Sequence, residues 1–196
     1  MAEQPELIAP TPEEGAALVA LALQAMAARL AGQRIEPGVP ESERLTAPGA
    51  SFVTLERNGR LRGCIGTIAA RRPLYLDVVR NAVLAMADPR LPRVTAMDWP
   101  ELDVKVSVLT APEPIPVDDP AALVHELRPG VDGLVLTDDD RRATFLPAVW
   151  AKVPDPTGFL AALLEKGGWS AWPAGMRALR YTSIEFVDPA PRGALH

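Results

Sequence analysis

Cys64 has the clearest capacity for covalent chemistry, because it is the only cysteine among the 196 residues. Arg60 and Arg62 precede it at intervals of two, so in an extended strand their side chains would share a face with the sulfur. Nearby guanidinium groups stabilise the thiolate, which is the nucleophilic form of cysteine. A nucleophilic cysteine normally has a histidine base, and the sequence gives no reason for His125 or His196 to lie near it. The spacing indicates a thiolate site that lacks a complete catalytic set.

The alternative for Cys64 is a packing role, since free cysteine is among the most buried residue types and behaves as a small apolar side chain. Gly63 and Gly66 flank it. A residue without a Cβ lets another backbone or a ligand approach closely. We therefore treat Cys64 as a candidate catalytic residue and the two glycines as candidate binding residues.

The two arginines that precede Cys64 also have two interpretations. Arg60 and Arg62 could bind a carboxylate or a phosphate, because a guanidinium group offers two parallel donors. They could equally be solvated, or form structural pairs with Glu56 or Asp103. The sequence leaves both open.

Asp88 and Arg90 follow the end of a predicted helix over residues 73–87, which stops before Pro89 because a residue that precedes proline avoids the helical region. They are further candidates for a binding cleft. A buried ion pair or a helix cap would explain them as well, and the sequence does not decide between these roles.

Strands on either side of Asn58-Gly59 would hold Cys64 and its neighbours, because this dipeptide suits the two-residue type I′ turn of a β-hairpin. If Arg57 pairs with Arg60 and the pairing stays regular, Val53 faces Cys64. The shared face of the sulfur and the two arginines depends on this regular register.

The remaining elements indicate an α+β fold. Capping signals and apolar periodicity predict helices at 12–31, 120–127, 147–152 and 156–166, strands at 102–108 and 180–186, and a second hairpin from 133–137 and 142–146. Residues 33–49 are predicted as a loop and residues 111–116 as irregular or extended chain. Two hairpins without a regular βαβ order favour a mainly antiparallel sheet.

Composition excludes several classes of protein. The net charge of −5 gives no basic footprint for nucleic acid. A single cysteine excludes an intrachain disulfide. Residues 1–10 do not resemble a signal peptide, and the longest apolar stretch, residues 16–23, is far short of the roughly 20 residues that a membrane span needs. We expect a cytoplasmic protein that binds no membrane, metal or cofactor, since no metal-ligand spacing, phosphate-binding loop or dinucleotide-binding glycine pattern occurs.

The run Leu-Arg-Gly-Cys-Ile-Gly at residues 61–66 resembles the hallmark of the AMME-chromosomal-region (AMMECR) family. The resemblance continues through residues 81–82, 88–90, 104–109, 112–114, 130–134, 144–147, 149–150, 154–156 and 180–181. It spans residues 11–187, which we predict to form one AMMECR-type domain between flexible ends at 1–10 and 188–196.

The resemblance implies two unequal subdomains, each with an antiparallel sheet, of which the larger contains both termini. It also implies a partnership, because bacterial and archaeal members typically belong to a three-part AmmeMemoRadiSam system. The other two parts are a Memo-type protein, itself similar to class III extradiol dioxygenases, and a radical SAM enzyme. The resemblance names no reaction, so we expect an accessory component, with a Cys64-dependent enzyme or small-molecule-binding protein as the alternative. The sequence leaves a homodimer open.

Overall fold

The structure is a computed structural model that describes residues 9–193 and residue 195. Helices and two mostly antiparallel sheets make it α+β, as the sequence predicts. Most of the predicted flexible segment 1–10, and also Ala194 and His196, lie outside the described residues. No helix in the described part of the chain is long and apolar enough to cross a membrane.

The chain divides into two compact units. Unit 1 comprises Met1–Ala111 with Ile184–His196, and unit 2 comprises Pro112–Ser183. Every candidate residue named above except the two histidines belongs to the part of unit 1 between residues 60 and 90.

Unit 1 packs helices against one side of a sheet. Its elements are α1 (Pro12–Leu30), α2 (Glu43–Thr46), β1 (Pro48–Arg57), β2 (Arg60–Gly66), β3 (Arg72–Pro73), α3 (Leu74–Ala85), β4 (Leu102–Leu109) and β9 (Ser183–Asp188), with a 3-10 turn at Trp99–Glu101. The strand order is β2-β1-β4-β9, and the short strand β3 pairs with the start of β1. Strand β2 is therefore an edge strand.

The alternation of buried and partly exposed side chains along β1 shows which face of this sheet is buried. Val53 and Leu55 are fully buried and belong to the same apolar core as Val78 and Ala82 of α3. Thr54 and its even-numbered neighbours point to the opposite side and are partly exposed. The side chains of β1 thus distinguish a helix-covered face from an outer face.

Unit 2 has its own sheet and core. Its elements are β5 (Glu113–Ile115), α4 (Pro120–Glu126), β6 (Gly133–Thr137), β7 (Arg142–Phe145), α5 (Pro156–Lys166) and β8 (Arg177–Tyr181), with a 3-10 turn at Pro147–Ala151. The strand order is β5-β8-β6-β7. The rings of Trp150 and Phe159 stack with centroids 3.8 Å apart inside the core.

Two predictions of local structure are wrong in detail, and a third is confirmed. The final strand predicted over residues 180–186 is two strands in different sheets, β8 and β9, separated at Thr182. The predicted loop 33–49 contains the one-turn helix α2, which Ser42 caps through its side chain. Residues 111–116, predicted as irregular or extended chain, include the extended strand β5, in which Pro114 lies on an edge strand where a missing N–H is tolerated.

Candidate functional site

The β1–β2 hairpin forms around Asn58-Gly59 as predicted, but its register does not stay regular. Arg57 pairs with Arg60, and a β-bulge then inserts one extra residue into β2. Beyond the bulge, Cys64 lies opposite Thr54 and not opposite Val53. The regular register predicted from the turn is therefore wrong past its second pair.

The bulge places the sulfur on a different face from Arg60. Cys64 shares the outer face with Thr54, whereas Arg60 shares the helix-covered face with its partner Arg57. The prediction that Cys64, Arg62 and Arg60 lie on one face is wrong, because one inserted residue reverses the alternation of everything beyond it.

Arg62, next to the bulge, is part of a structural ion-pair cluster. Its Nη2 atom donates to Asp98 Oδ2 at 3.2 Å and to the carbonyl oxygen of Arg93 at 3.4 Å. Arg57 contacts the same Asp98 carboxylate at 3.2 Å. Burial alone would raise the pKa of Asp98, but hydrogen bonds from Thr95 and Arg62 outweigh it, and the pKa is lowered. Of the alternatives for Arg62, the structural ion pair is therefore the correct one. The acidic partner is Asp98, and not Glu56 or Asp103 as the sequence suggested.

Asp88 and Arg90 hold the backbone of Cys64. The N–H of Cys64 donates to Asp88 Oδ2 at 3.0 Å, and Arg90 Nη2 donates to the carbonyl oxygen of Cys64 at 3.0 Å. Both peptide groups face away from β1, on the open edge of the sheet, where a neighbouring strand would otherwise supply a donor and an acceptor. Two side chains thus replace a missing strand; we call this arrangement the edge clamp.

The two side chains of the edge clamp also neutralise each other. Arg90 donates from Nε and Nη2 to the two oxygens of Asp88 at 2.9 and 2.6 Å, the bidentate geometry that favours arginine over lysine. The Asp88 side chain is 0% exposed and that of Arg90 is 53% exposed. The hydrogen bonds from Arg90, with those from the backbone N–H groups, hold the pKa of Asp88 well below its usual range. The carboxyl is therefore ionised at neutral pH.

Both candidate glycines are explained by close packing. A Cβ on Gly63 would overlap the carbonyl oxygen of Ala85 at the end of α3, and a Cβ on Gly66 would overlap the ring of Phe52. Gly63 therefore allows the approach of another backbone, one of the two roles considered for it. Gly66 lies directly across from Phe52, whose ring covers it.

The sulfur of Cys64 has one described hydrogen-bond partner. The Thr54 hydroxyl donates to Sγ at 3.4 Å, and Cys64 is partly exposed. The Arg90 guanidinium group is bound to the same residue, because its Nη2 atom donates to the carbonyl oxygen of Cys64 at 3.0 Å. A partly exposed thiol with a hydroxyl donor and a guanidinium nearby can react as a thiolate.

A buried polar cluster next to residues 61–66 was not predicted. Asp77 Oδ2 accepts hydrogen bonds from Ser51 N and Oγ at 3.0 and 2.8 Å, from Thr67 Oγ1 at 2.5 Å and from Asn81 Nδ2 at 2.9 Å. Arg72 lies 3.4 Å from the other carboxylate oxygen. The cluster ties the start of β1 and the residue after β2 to α3. Its signal in the sequence is a pair of polar residues, four apart, on the buried side of a helix.

The structure, which describes both residues, records no hydrogen bond between His125 and Cys64. His125 is exposed near the end of α4 in unit 2, and His196 lies outside the described residues. Among residues 9–193 and 195, no group of three or more His, Cys, Asp or Glu side chains could hold a metal ion. The candidates that the structure brings together are Cys64, Gly63, Asp88 and Arg90.

The comparison with protein families accords with this arrangement. A family model described as AMMECR1 matches residues 19–186. The chain belongs to the AMMECR1 family. A Thermofilum pendens protein is 33% identical to this AMMECR1-family chain over 92% of each sequence, and one from Methanothermobacter thermautotrophicus is 39% identical over 70% of this chain and 72% of its own.

A solved structure supports the fold of this AMMECR1-family protein. The crystal structure of an uncharacterised protein from Pyrococcus horikoshii superposes with a TM-score of 0.84 at 31% sequence identity, and the match covers 93% of this chain and 95% of that one. The α+β architecture is thus shared by an experimental structure, and the function must be argued from residues.

Proposed function

We propose that this AMMECR1-family protein is an accessory component that acts by binding, together with a Memo-type dioxygenase-like protein and a radical SAM enzyme. The observation that carries the proposal is the edge clamp. Asp88 and Arg90 would be the acid and the cation of a catalytic site at Cys64, yet both are already bonded to the Cys64 peptide and to each other.

The other candidate cation is engaged in the same way. Arg62 is paired with Asp98, and its Nη2 atom also reaches a backbone carbonyl. A catalytic group must interact more strongly with the transition state than with the ground state. Side chains that already hold the fold would have to break those bonds first. The geometry supports a rigid scaffold in which residues 61–66 organise an edge of unit 1.

The test is recovery of partners by the whole chain. The protein with a small affinity tag would be expressed at native level in its own host, stabilised by brief chemical crosslinking and analysed by mass spectrometry, with an untagged strain as the isotope-labelled control. We expect enrichment of a Memo-type protein and a radical SAM enzyme. If neither of these two proteins is recovered, the proposal is wrong.

A second function remains a candidate because of the Thr54–Cys64 contact. The Thr54 hydroxyl donates to Sγ, Arg90 donates to the carbonyl oxygen of the same residue, and the Cys64 side chain is partly exposed. In this alternative the protein is an enzyme or a small-molecule-binding protein that uses Cys64 and a nearby arginine. The arginine would be Arg90, not Arg60 or Arg62.

The substitution Thr54→Val tests this alternative. A hydrogen bond typically contributes about 1 kcal/mol, so losing one that holds the reacting sulfur would slow its reaction about fivefold. We expect iodoacetamide to alkylate the folded variant about fivefold more slowly than the wild type near neutral pH. Thr157→Val, at an exposed threonine of α5, is the matched control. Equal rates in all three proteins, or a wild-type thiol that resists alkylation until unfolding, would exclude a reactive site.

A further inference from the structure

Positive charge is concentrated in one stretch of an otherwise acidic chain. Residues 57–93 contain eight arginines and two aspartates and no other charged residue, which gives this stretch a charge of +6. Because the whole chain carries −5, the remaining residues carry −11. The stretch includes the hairpin, α3 and the loop that contains the edge clamp.

Ion pairs within the fold neutralise only part of the positive charge of residues 57–93. Asp77 pairs with Arg72, and Asp88 with Arg90. Both aspartates are buried, so they contribute little negative charge to the surface. The exposed side chains of Arg60, Arg80 and Arg93 form no ion pair with an acidic residue in the part of the chain that the structure describes.

These three arginines lie around one edge of unit 1. The N–H of Val94 donates to the carbonyl oxygen of Met86 at 2.9 Å, which folds the loop back beside the last turn of α3. The Arg93 carbonyl in that loop contacts Arg62 of β2. Arg60 begins the same strand, and Arg80 lies on the exposed side of α3.

Two large apolar side chains that lie close in sequence to Arg80 and Arg93 are exposed. Leu84 follows Arg80 by one helical turn and is 39% exposed, and Met97, next to the Asp98 that binds Arg62, is 84% exposed. We call Arg60, Arg80, Leu84, Arg93 and Met97 the basic edge. Exposed apolar groups rimmed by charge are typical of interaction surfaces.

We propose that the basic edge docks an acidic surface of a partner protein. The inference rests on the proposed accessory function and names the surface that would perform it. Unpaired arginines around Leu84 and Met97 would attract and orient a negatively charged face, while the two apolar side chains would supply the buried contact.

The composition of the basic edge favours a protein over a nucleic acid. Arginine and methionine are enriched at protein–protein interfaces, and lysine is depleted there; the stretch 57–93 contains no lysine. Single-stranded nucleic acids are bound largely by stacking on aromatic side chains, and no residue of the basic edge is aromatic. A second copy of this chain could also supply an acidic surface, because the residues outside 57–93 are acidic. The experiment must distinguish that homodimer from a complex with a different protein.

The test places a photo-crosslinking amino acid at Met97 in the full chain, expressed in its native host. The control position is Val39, which is 75% exposed and lies outside the basic edge. We expect a covalent adduct at position 97, absent at position 39, to a protein whose contact peptide is rich in aspartate and glutamate. Mass spectrometry of the crosslinked peptides identifies that protein and its contact residues.

Charge reversal makes the test specific. The double variant Arg80→Glu and Arg93→Glu should reduce the adduct at position 97 about tenfold, because reversed charges repel an acidic partner. The double variant Arg29→Glu and Arg34→Glu makes the same change in total charge at exposed positions of the same unit, and it should retain the adduct. Thermal melting of both variants verifies that each remains folded.

Several results would overturn the basic edge as a docking surface. They are no adduct at position 97, an equal adduct at Val39, an adduct to nucleic acid or to a second copy of this chain, and an adduct that survives reversal of Arg80 and Arg93. If affinity recovery finds the partners while crosslinking at position 97 fails, the accessory function stands and this surface does not. If affinity recovery finds neither partner, the accessory function itself fails.

Discussion

Replacing Asp88 by asparagine tests whether the edge clamp holds the edge of the sheet. The amide has nearly the same shape as the carboxylate, and its oxygen can still accept from the N–H of Cys64, a bond of 3.0 Å in the native protein. It carries no charge, so it loses the ionic part of its interaction with Arg90. We therefore expect a weaker clamp without a cavity.

The size of the effect follows from the hydrogen bonds that the substitution weakens. Hydrogen bonds to charged groups contribute about 1.5–3 kcal/mol each, and Arg90 makes two of them to Asp88. Because the Arg90 side chain is 53% exposed, water compensates for much of this interaction. We expect a loss of about 2 kcal/mol for Asp88→Asn, and more for Asp88→Ala, which leaves the Cys64 N–H without an acceptor.

Hydrogen exchange at the Cys64 amide measures this loss where it occurs. A decrease of about 2 kcal/mol in the local opening free energy makes exchange about 30-fold faster. Asp139→Asn, at an exposed aspartate of the second hairpin, is the control and should leave the exchange rate unchanged. A rate in Asp88→Asn within about threefold of the wild type would show that the clamp does not stabilise β2.

The same variant has a defined pH dependence. The pKa of Asp88 is lowered in the folded protein, whereas an aspartate in the unfolded chain titrates near pH 3.9. The contribution of the ionised carboxylate is therefore fully present above about pH 4 and is lost as the pH falls toward the folded pKa. The difference between wild type and Asp88→Asn should shrink in urea unfolding at acidic pH. A difference that stays constant from neutral to acidic pH would contradict the assignment.

The remaining predictions concern the packing around residues 61–66. Gly63→Ala should lower the unfolding free energy by about 3 kcal/mol, because its Cβ overlaps the Ala85 carbonyl; Gly38→Ala, with open space around it, should change little, and equal stability of the two would contradict the close approach. Asp77→Asn should cost about 3 kcal/mol in the same measurement, because an amide cannot replace a buried carboxylate that accepts four hydrogen bonds. A loss below about 1 kcal/mol would show that the buried cluster is dispensable.

The hairpin was predictable because its signal is local. Asn58 and Gly59 both adopt positive φ, 52° and 72°, as the type I′ turn requires. The bulge beyond them was not predictable, since it satisfies contacts made far away in the chain. It brings Gly63 against the end of α3 and lets Arg62 reach Asp98, which lies 36 residues further along the sequence. The turn determines where strand pairing begins, and tertiary contacts determine where the β-bulge shifts the register.

The contacts of the edge clamp, like the bulge, could not be predicted from the local sequence. An ion pair was one of the roles that the sequence left open for Asp88 and Arg90, and the structure contains that pair. Nothing in residues 88–90 indicates that the pair would also bind the backbone N–H and carbonyl of Cys64, a residue far earlier in the chain. That interaction requires β2 to be an edge strand, which follows from the order of all strands in the sheet. Local patterns indicate the residue types, whereas topology determines what they bind.

The edge clamp requires only the backbone of Cys64, whereas any reaction at this position requires its thiol. Asp88 and Arg90 bind only the backbone N–H and carbonyl of Cys64, which any residue except proline would offer. Gly63 and Gly66 are explained by the neighbours that a Cβ would overlap. Neither interaction requires sulfur at position 64, and the side chain points to the outer face, where the Thr54 hydroxyl donates to it. The backbone of residues 61–66 therefore serves the fold, and any chemistry at this site must involve the Cys64 side chain, which lies on the outer face beside the Thr54 hydroxyl.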